Sequence, residues 1–307
     1  MTTLAFLFPG QGAQFVGMAR DLIEQEADAQ QFLRQAEDRL GMGLGRLMLD
    51  GPEATLRATE NAQPAIAFHS LALLARIRAR GVEPGAVAGH SLGEFPALVA
   101  AGGLVSLDAL AAVQARGQAM AAGAVSGSGM IAVLGLDDAT VERICGQGDG
   151  VVPANYNAPG QVVISGSAPA LERVTPLLQA AGARRLVRLP VSAAFHSPLM
   201  AGAAATFAAA WDKIPLRRLD RPQVFNADAQ VHAEPAEVRS LMVGQLTGPV
   251  RWTQSVQRLQ GLGIDTFVEI GPGRTLTGLV KKIVPGAVVH NIEDVASLNA
   301  FLQTARG

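Results

Sequence analysis

Five consecutive residues, Gly89-His90-Ser91-Leu92-Gly93, carry the strongest chemical signal in this sequence. They follow a short apolar segment, Ala86-Val87-Ala88, and open an apolar stretch of helical character from Leu92 to Ala101. A glycine on each side suits a tight strand-to-helix turn, which pushes the serine hydroxyl out at the helix N-terminus. There the unbonded backbone N–H groups and the positive helix end favour a developing oxyanion. A serine nucleophile needs a base, and the chain has 5 histidines. His90 lies inside the turn, where its side chain diverges from that of Ser91 and suits loop support. His69 falls in a helical run from Ala65 to Arg80, and His232 and His290 have no distinguishing context. His196 stands in a loop of small residues closed by Pro198, where pocket residues collect. It is the candidate base, with a capping or structural role as the alternative.

The third member of a triad would fall between Ser91 and His196 in the order Ser, acid, His. The acids there are Glu94, Asp108, Asp137, Asp138, Glu142, Asp149 and Glu172. Glu94 is on the elbow helix itself and Asp137 to Glu172 lie in a separate folding segment, so none reads as an orienter of the imidazole. A Ser–His dyad oriented by a carbonyl fits better. Pro9-Gly10-Gln11-Gly12-Ala13-Gln14 shares only the first two glycines of a dinucleotide fingerprint, with Phe15 at the third, and that reading is excluded. Arg116, on an Ala-rich helical run, reads by itself as a surface residue that snorkels.

These residues need elements to hold them. Strand-like Leu4 to Phe8, helical Ala65 to Arg80, the short strand Ala86 to Ala88 and the elbow helix alternate as a parallel sheet covered by helices would. The rhythm changes from residue 127 to 192. Strand Met130 to Leu136, helix Asp138 to Cys145, strands Val151 to Asn155 and Gln161 to Ser165, helix Ala168 to Ala181 and strand Arg185 to Leu189 give the order β-α-β-β-α-β of a ferredoxin-like split unit. Asn157-Ala158-Pro159-Gly160 is the expected turn between its middle strands, and the Gly/Ser-rich stretch Gly123 to Gly129 its hinge. A late strand, Thr266 to Ile270, ends in Gly271-Pro272-Gly273. The expected division is a catalytic body, 1–126 and 193–307, with an inserted subdomain, 127–192, and a cleft between them.

Composition excludes several classes. With 307 residues, 49% of them hydrophobic, the chain can bury a sizeable core. A charged fraction of 17% and a net charge of −1 give no bulk attraction to nucleic acid or a membrane surface. The positive mean hydropathy comes largely from alanine, with no uncharged apolar run near the roughly 18 residues of a spanning helix. The N-terminal residues lack a basic flank before their apolar run and read as a buried strand, not a signal peptide. The single cysteine, Cys145, excludes an internal disulfide and a cysteine zinc cluster and reads as a small core residue. The expected location is the cytoplasm.

Five motifs occur in order: Pro9 to Gln14, Gly89 to Glu94, Gln114-Ala115-Arg116-Gly117, Ala193 to Met200, and Gln245-Leu246-Thr247-Gly248-Pro249-Val250-Arg251-Trp252. Together the chain resembles the malonyl-CoA:acyl carrier protein transacylases, from Leu4 to about Ile292. Asn155 to Gln161 and Glu269-Ile270-Gly271-Pro272-Gly273 match as well. The resemblance implies an α/β fold, an α/β-hydrolase-like parallel-sheet body with an inserted ferredoxin-like subdomain. It implies Ser91 as the acylated nucleophile, His196 as base and then acid, and the main-chain carbonyl of Gln245 as their support. Backbone N–H groups of Gln11 and Leu92 would form the oxyanion hole. Arg116 would clamp the malonyl carboxylate, overturning its surface reading, with Phe195 and Met120 in the acyl pocket. A Phe-His pair and Leu92 go with malonyl rather than methylmalonyl in polyketide relatives. One departure is Pro96, early in the elbow helix, which is expected to loosen that turn without disabling Ser91.

The resemblance further implies a substrate, malonyl-CoA, and an acceptor, the phosphopantetheine thiol of an acyl carrier protein, with no bound cofactor and no metal. Carrier proteins are acidic, so Arg184-Arg185 and Lys281-Lys282 are the candidate docking patches, with ordinary solvated pairs as the alternative. Two other readings stay open: an acyl hydrolase that clears stalled carrier-bound chains, against which the Arg116 clamp counts, and a malonyl transferase serving malonate decarboxylase.

Overall fold

Leu4-Ala5-Phe6-Leu7-Phe8 is apolar at every position, as befits a strand covered on both faces. It forms β1 (Leu4–Phe8) within a six-stranded sheet in the computed structural model, which describes residues 3–191 and 193–304. The other strands are β2 (Ala86–Gly89), β7 (Gln223–Val224), β8 (Val231–His232), β9 (Thr266–Ile270) and β10 (Val288–Ile292). A second sheet has four strands, β3 (Ser128–Leu134), β4 (Val151–Ala158), β5 (Gln161–Ser167) and β6 (Arg185–Arg188). Ser192, the expected last residue of the insert, lies outside the described residues, as do residues 1–2 and 305–307.

The larger sheet runs β10-β9-β1-β2-β7-β8, parallel throughout except for the antiparallel β7–β8 pair. Alternation along β1 divides the core. Phe6 and Phe8 face one layer with Phe68, Phe95, Val113 and Phe207, while Ala5 and Leu7 face another with Trp252, Val256 and Leu279. Helices therefore cover both faces, as a parallel sheet requires. The smaller sheet is antiparallel, in the order β4-β5-β3-β6, with helices Asp138–Gln147 and Ala168–Ala180 closing a separate core around Val133, Val162 and Leu171. The expected class, a parallel-sheet α/β body beside a second sheet, is the one observed.

Three local expectations change. The stretch from Leu92 to Ala101 divides into a 3-10 turn, Ser91–Gly93, and an α-helix, Glu94–Ala100. Pro96 lies in the first turn of that helix, where the missing N–H is tolerated. The turn expected at Asn157 to Gly160 shrinks, because β4 continues to Ala158 with register shifts and only Pro159-Gly160 separate it from β5. Backbone bonds hold β4 that far: Tyr156 N–H donates to Val250 O at 2.9 Å and Val250 N–H to Ala154 O at 2.8 Å. Cys145 is a buried core residue, as expected, and burial pushes its thiol up to about 12.

Phe95 anchors the elbow helix against helix Ala201–Trp211. Its ring meets Phe207 and Trp211 edge-on, with centroids 6.0 and 5.7 Å away. Replacing Phe95 by alanine removes both contacts from a fully buried site, which costs about 3–5 kcal/mol. Chemical denaturation should show a lowered midpoint with an unchanged slope.

Candidate active site

The turn after β2 forces the backbone of Ser91 into the left-handed region, φ 54°. A non-glycine residue pays for that conformation, and such strain persists only where the surroundings impose it. Here the constraint is close approach. A Cβ on Gly89 would lie 1.9 Å from the carbonyl carbon of Gly93, and one on Gly93 would lie 2.1 Å from the carbonyl oxygen of Phe8. Two glycines are thus required for β1, β2 and the elbow to touch. Asn226, just beyond β7, completes the fastening. Its Oδ1 accepts from Ser91 N–H at 2.7 Å, and its Nδ2 donates to Gly89 O at 2.7 Å.

His196 reaches Ser91 from the loop after the smaller sheet. Its Nε2 lies 2.8 Å from Ser91 Oγ, and its Nδ1 lies 2.8 Å from the backbone oxygen of Gln245. The carbonyl oxygen can only accept, so Nδ1 carries the hydrogen and Nε2 is left basic toward the serine. Burial and the charge of Arg116 hold His196 down to about 3, against the opposing pull of the Gln245 carbonyl. The imidazole is therefore neutral at ordinary pH. No carboxylate contacts this ring among the described hydrogen bonds, and the dyad rests on a carbonyl. His90 supports the loop: its Nε2 meets Asn157 Oδ1 of β4 at 2.9 Å, and its ring lies against Trp252. His69 and His232 are engaged elsewhere, and His290 lies against the Phe301 ring.

Arg116 corrects its surface reading. The helix Ser106–Ala122 places it 1% exposed, because its polar end points into the protein beside the nucleophile. Nη2 donates to Ser91 Oγ at 3.0 Å and to Gln245 Oε1 at 2.8 Å, while Nη1 donates to Gln63 Oε1 at 2.7 Å. Nε has no partner among the described atoms. Burial lowers its pKa to about 10, which leaves it cationic at neutral pH. Behind it, Gln245 Nε2 donates to Ser91 O at 3.0 Å and to Glu94 Oε2, and Glu94 Oε1 accepts from Asn226 N–H at 2.5 Å. Glu94 is 1% exposed, and burial pushes its carboxyl up to about 8.

A cavity of about 340 Å³ opens over these groups. Its lining includes Gln11, Ser91, Arg116, Met120, Phe195 and His196, so the structure gathers most of the residues singled out in the sequence. Leu92 follows Ser91 in the 3-10 turn, and Gln245 lies behind Arg116. Arg184, Arg185, Lys281 and Lys282 are exposed and are not among the residues that line this cavity. Three participants were not singled out in the sequence. Gln63 is a fully buried amide in the helix Thr59–Ala79, one of several polar residues that this helix buries, so its pattern alone does not single it out. Asn226 follows a two-residue strand too short to read. Glu94, which its place on the elbow helix excludes as an orienter of the imidazole, has a different part here: it braces Gln245.

The family model described as acyl transferase domain matches residues 5–299. The malonyl CoA-acyl carrier protein transacylase of Bacillus subtilis is 39% identical over 311 residues, covering 100% of this chain and 98% of that protein. A crystal structure of malonyl-CoA:acyl carrier protein transacylase from Xanthomonas oryzae pv. oryzae superposes with a TM-score of 0.95 at 41% identity, covering 99% of each chain. A type II PKS acyl-carrier protein in complex with its malonyl-transacylase gives a TM-score of 0.95 at 38% identity, covering 99% of this chain and 100% of that one.

The depressed pKa of His196 has a kinetic sign. The base works when neutral, so lowering pH reduces it only as pH approaches the folded value of about 3. Labelling of Ser91 by an uncharged fluorophosphonate should keep its rate from pH 8 down to about 5, whereas an ordinary histidine would lose it through about 6.5.

Proposed function

From the premise that this chain belongs to the acyl transferase domain family, we propose that it moves the malonyl group of malonyl-CoA to the phosphopantetheine thiol of an acyl carrier protein, in fatty acid or polyketide synthesis. Ser91 Oγ attacks the thioester carbonyl while His196 Nε2 takes its proton. The tetrahedral oxyanion is met by the N–H groups of Gln11 and Leu92. His196 then returns the proton to the departing coenzyme A sulfur, leaving a malonyl ester on Ser91. The carrier thiol repeats the sequence in reverse, giving ping-pong turnover. A histidine so reluctant to hold a proton passes it readily to the leaving sulfur. The Gln245 carbonyl orients the ring, and the scheme draws on no bound cofactor or metal. The division of the chain into 1–126 with 193–307 and the insert 127–192, and a cytoplasmic location, are parts of the same proposal.

One observation carries this reading: a cationic guanidinium, 1% exposed, stands 3.0 Å from the nucleophilic oxygen. A hydrolase of neutral acyl chains has no use for it. A malonyl ester on Ser91 brings a carboxylate within its reach, and guanidinium binds carboxylate bidentately. An acetyl group leaves the cation without that partner, which strongly disfavours it. Phe195 and Met120 line the space around the methylene carbon.

The docking side follows from the sheet. Gln161 pairs with Leu134, and Leu134 pairs with Arg185, so Gln161 and Arg185 are two strands apart, roughly 10 Å. Lys282 Nζ donates to Gln161 Oε1 at 3.2 Å, and Gln161 lines the cavity. Arg185 and Lys282 thus flank one end of the smaller sheet beside the mouth, a surface suited to an acidic carrier.

Intact-protein mass spectrometry after brief incubation with malonyl-CoA tests the chemistry. Wild type should gain one malonyl group, Ser91→Ala none, and Arg116→Ala at a rate lower by about 100-fold or more. Acetyl loading as fast as malonyl loading, or release of free malonate without an adduct, would move the protein to the hydrolases. Reversing charge at Arg185 and Lys282 together should raise the KM for carrier protein about tenfold and weaken its salt dependence, with the KM for malonyl-CoA little changed.

A further inference from the structure

The protein's own groups already fill the carboxylate-binding face of Arg116. A carboxylate binds guanidinium bidentately either end-on, through both Nη atoms, or side-on, through Nε and Nη2. Each approach needs a hydrogen of Nη2. Both hydrogens of Nη2 are taken, by Ser91 Oγ and by Gln245 Oε1. When Ser91 carries an ester, its oxygen stays in place as part of the acyl group. The acceptor that must yield is Gln245 Oε1.

The side-chain amide of Gln245 is not free to turn by itself. Its Nε2 is held by two acceptors, Ser91 O and Glu94 Oε2, and Oε1 is thereby aimed at Arg116. Glu94 in turn accepts from Asn226 N–H through its other oxygen. Both oxygens of Glu94 are acceptors, the pattern of an ionised carboxylate, the form that predominates above about pH 8. The chain Glu94–Gln245–Arg116 thus sets a buried anion behind a neutral amide whose oxygen substitutes for a substrate carboxylate. A malonyl carboxylate entering this space would set two buried anions against one cation, an arrangement with a large desolvation cost.

Building on the malonyl reading above, we propose that Glu94, acting through the amide of Gln245, is the resting counter-ion of Arg116 and takes up a proton when the substrate carboxylate replaces it. A protonated Glu94 donates where it had accepted. Gln245 then turns its amide, Oε1 toward Glu94 and Nε2 toward the arriving carboxylate, and Nη2 is released. The proton comes from solvent, because acyl exchange is neutral in protons: the Ser91 O–H bond breaks, the coenzyme A S–H bond forms. The charged and titratable groups around Glu94 are Arg116, which opposes its protonation, and Asp228, which favours it. His196, joined to it through Gln245, stays neutral in this range, and His90 on the far side of the elbow is also held down by burial. Burial already raises the Glu94 carboxyl to about 8, so a second anion needs to add little to keep it protonated above that pH. Glu94 is a positioning residue: it touches no reacting atom.

The test counts protons. Full-length enzyme is mixed with excess malonyl-CoA in weakly buffered solution at about pH 8.5, where an empty site holds Glu94 mostly ionised. An indicator dye reads uptake, corrected with free coenzyme A, and intact mass counts malonyl groups in the same sample. With Glu94 at about 8, wild type should take up about three quarters of a proton per malonyl group loaded at this pH. Glu94→Gln should load with no uptake, its amide already presenting the hydrogen that turns Gln245. Uptake that is absent in wild type, or undiminished in Glu94→Gln, overturns the proposal. If Glu94→Gln fails to fold or load, wild type decides: its KM for malonyl-CoA should rise by up to tenfold per pH unit above about pH 8, and a flat profile refutes the counter-ion role. Absence of any malonyl adduct at every pH is a separate result, visible in the mass spectrum, that removes the transferase reading and this inference with it.

Discussion

The constraint on which the site depends is the burial of one positive charge. A guanidinium with 1% exposure has lost its water, and its N–H groups must find oxygen inside the protein. Gln63, Gln245 and Ser91 supply it from the helix Thr59–Ala79, the segment after residue 244 and the elbow. These elements are far apart in sequence, and the fold brings their oxygens together around the cation. Glu94 and Asn226 extend the same arrangement, so the backbone that strains Ser91 and the side chain that answers Arg116 belong to one network.

The parallel sheet explains why the network lies where it does. Pro9 to Gln14, the elbow and Asn226 all follow the C-terminal ends of neighbouring strands β1, β2 and β7. Loops at that edge of a parallel sheet face a common crevice. The strands themselves come so close that glycine is required at 89 and 93, and this lets the Phe8 carbonyl lie under the elbow. Holding Ser91 at positive φ costs about 1–3 kcal/mol. The Asn226 bonds and the buried Phe95, Phe207 and Trp211 cluster supply the compensating rigidity.

Much of this was legible in the sequence because it depends on local spacing. The elbow needs two glycines around a serine, the split unit has its own strand and helix rhythm, and His196 stands on a small-residue loop. The carbonyl-supported dyad could be anticipated because the available acids were poorly placed. Arg116 by its own pattern pointed outward, since helical periodicity registers charge and not the polar partners that wait for it. Only its motif context corrected that. Asn226 and Gln63 were missed for the same reason: an amide gives no signal until the long-range contacts that engage it exist. Asn157 looks like a turn residue, which sets the expected β4–β5 turn too early; pairing of Ala154 to Tyr156 with Val250 and of Ala158 with Gln161 carries the strand past it.

The attachment of the smaller sheet to the body has a mechanical consequence. Strand β4 is fastened to the segment around Val250 by paired backbone bonds, Thr253 Oγ1 donates to Tyr156 O at 3.1 Å, and His90, next to the nucleophile, holds Asn157. A hinge that opened the crevice by swinging that sheet would pull on the turn that carries Ser91. The aperture is therefore of fixed gauge.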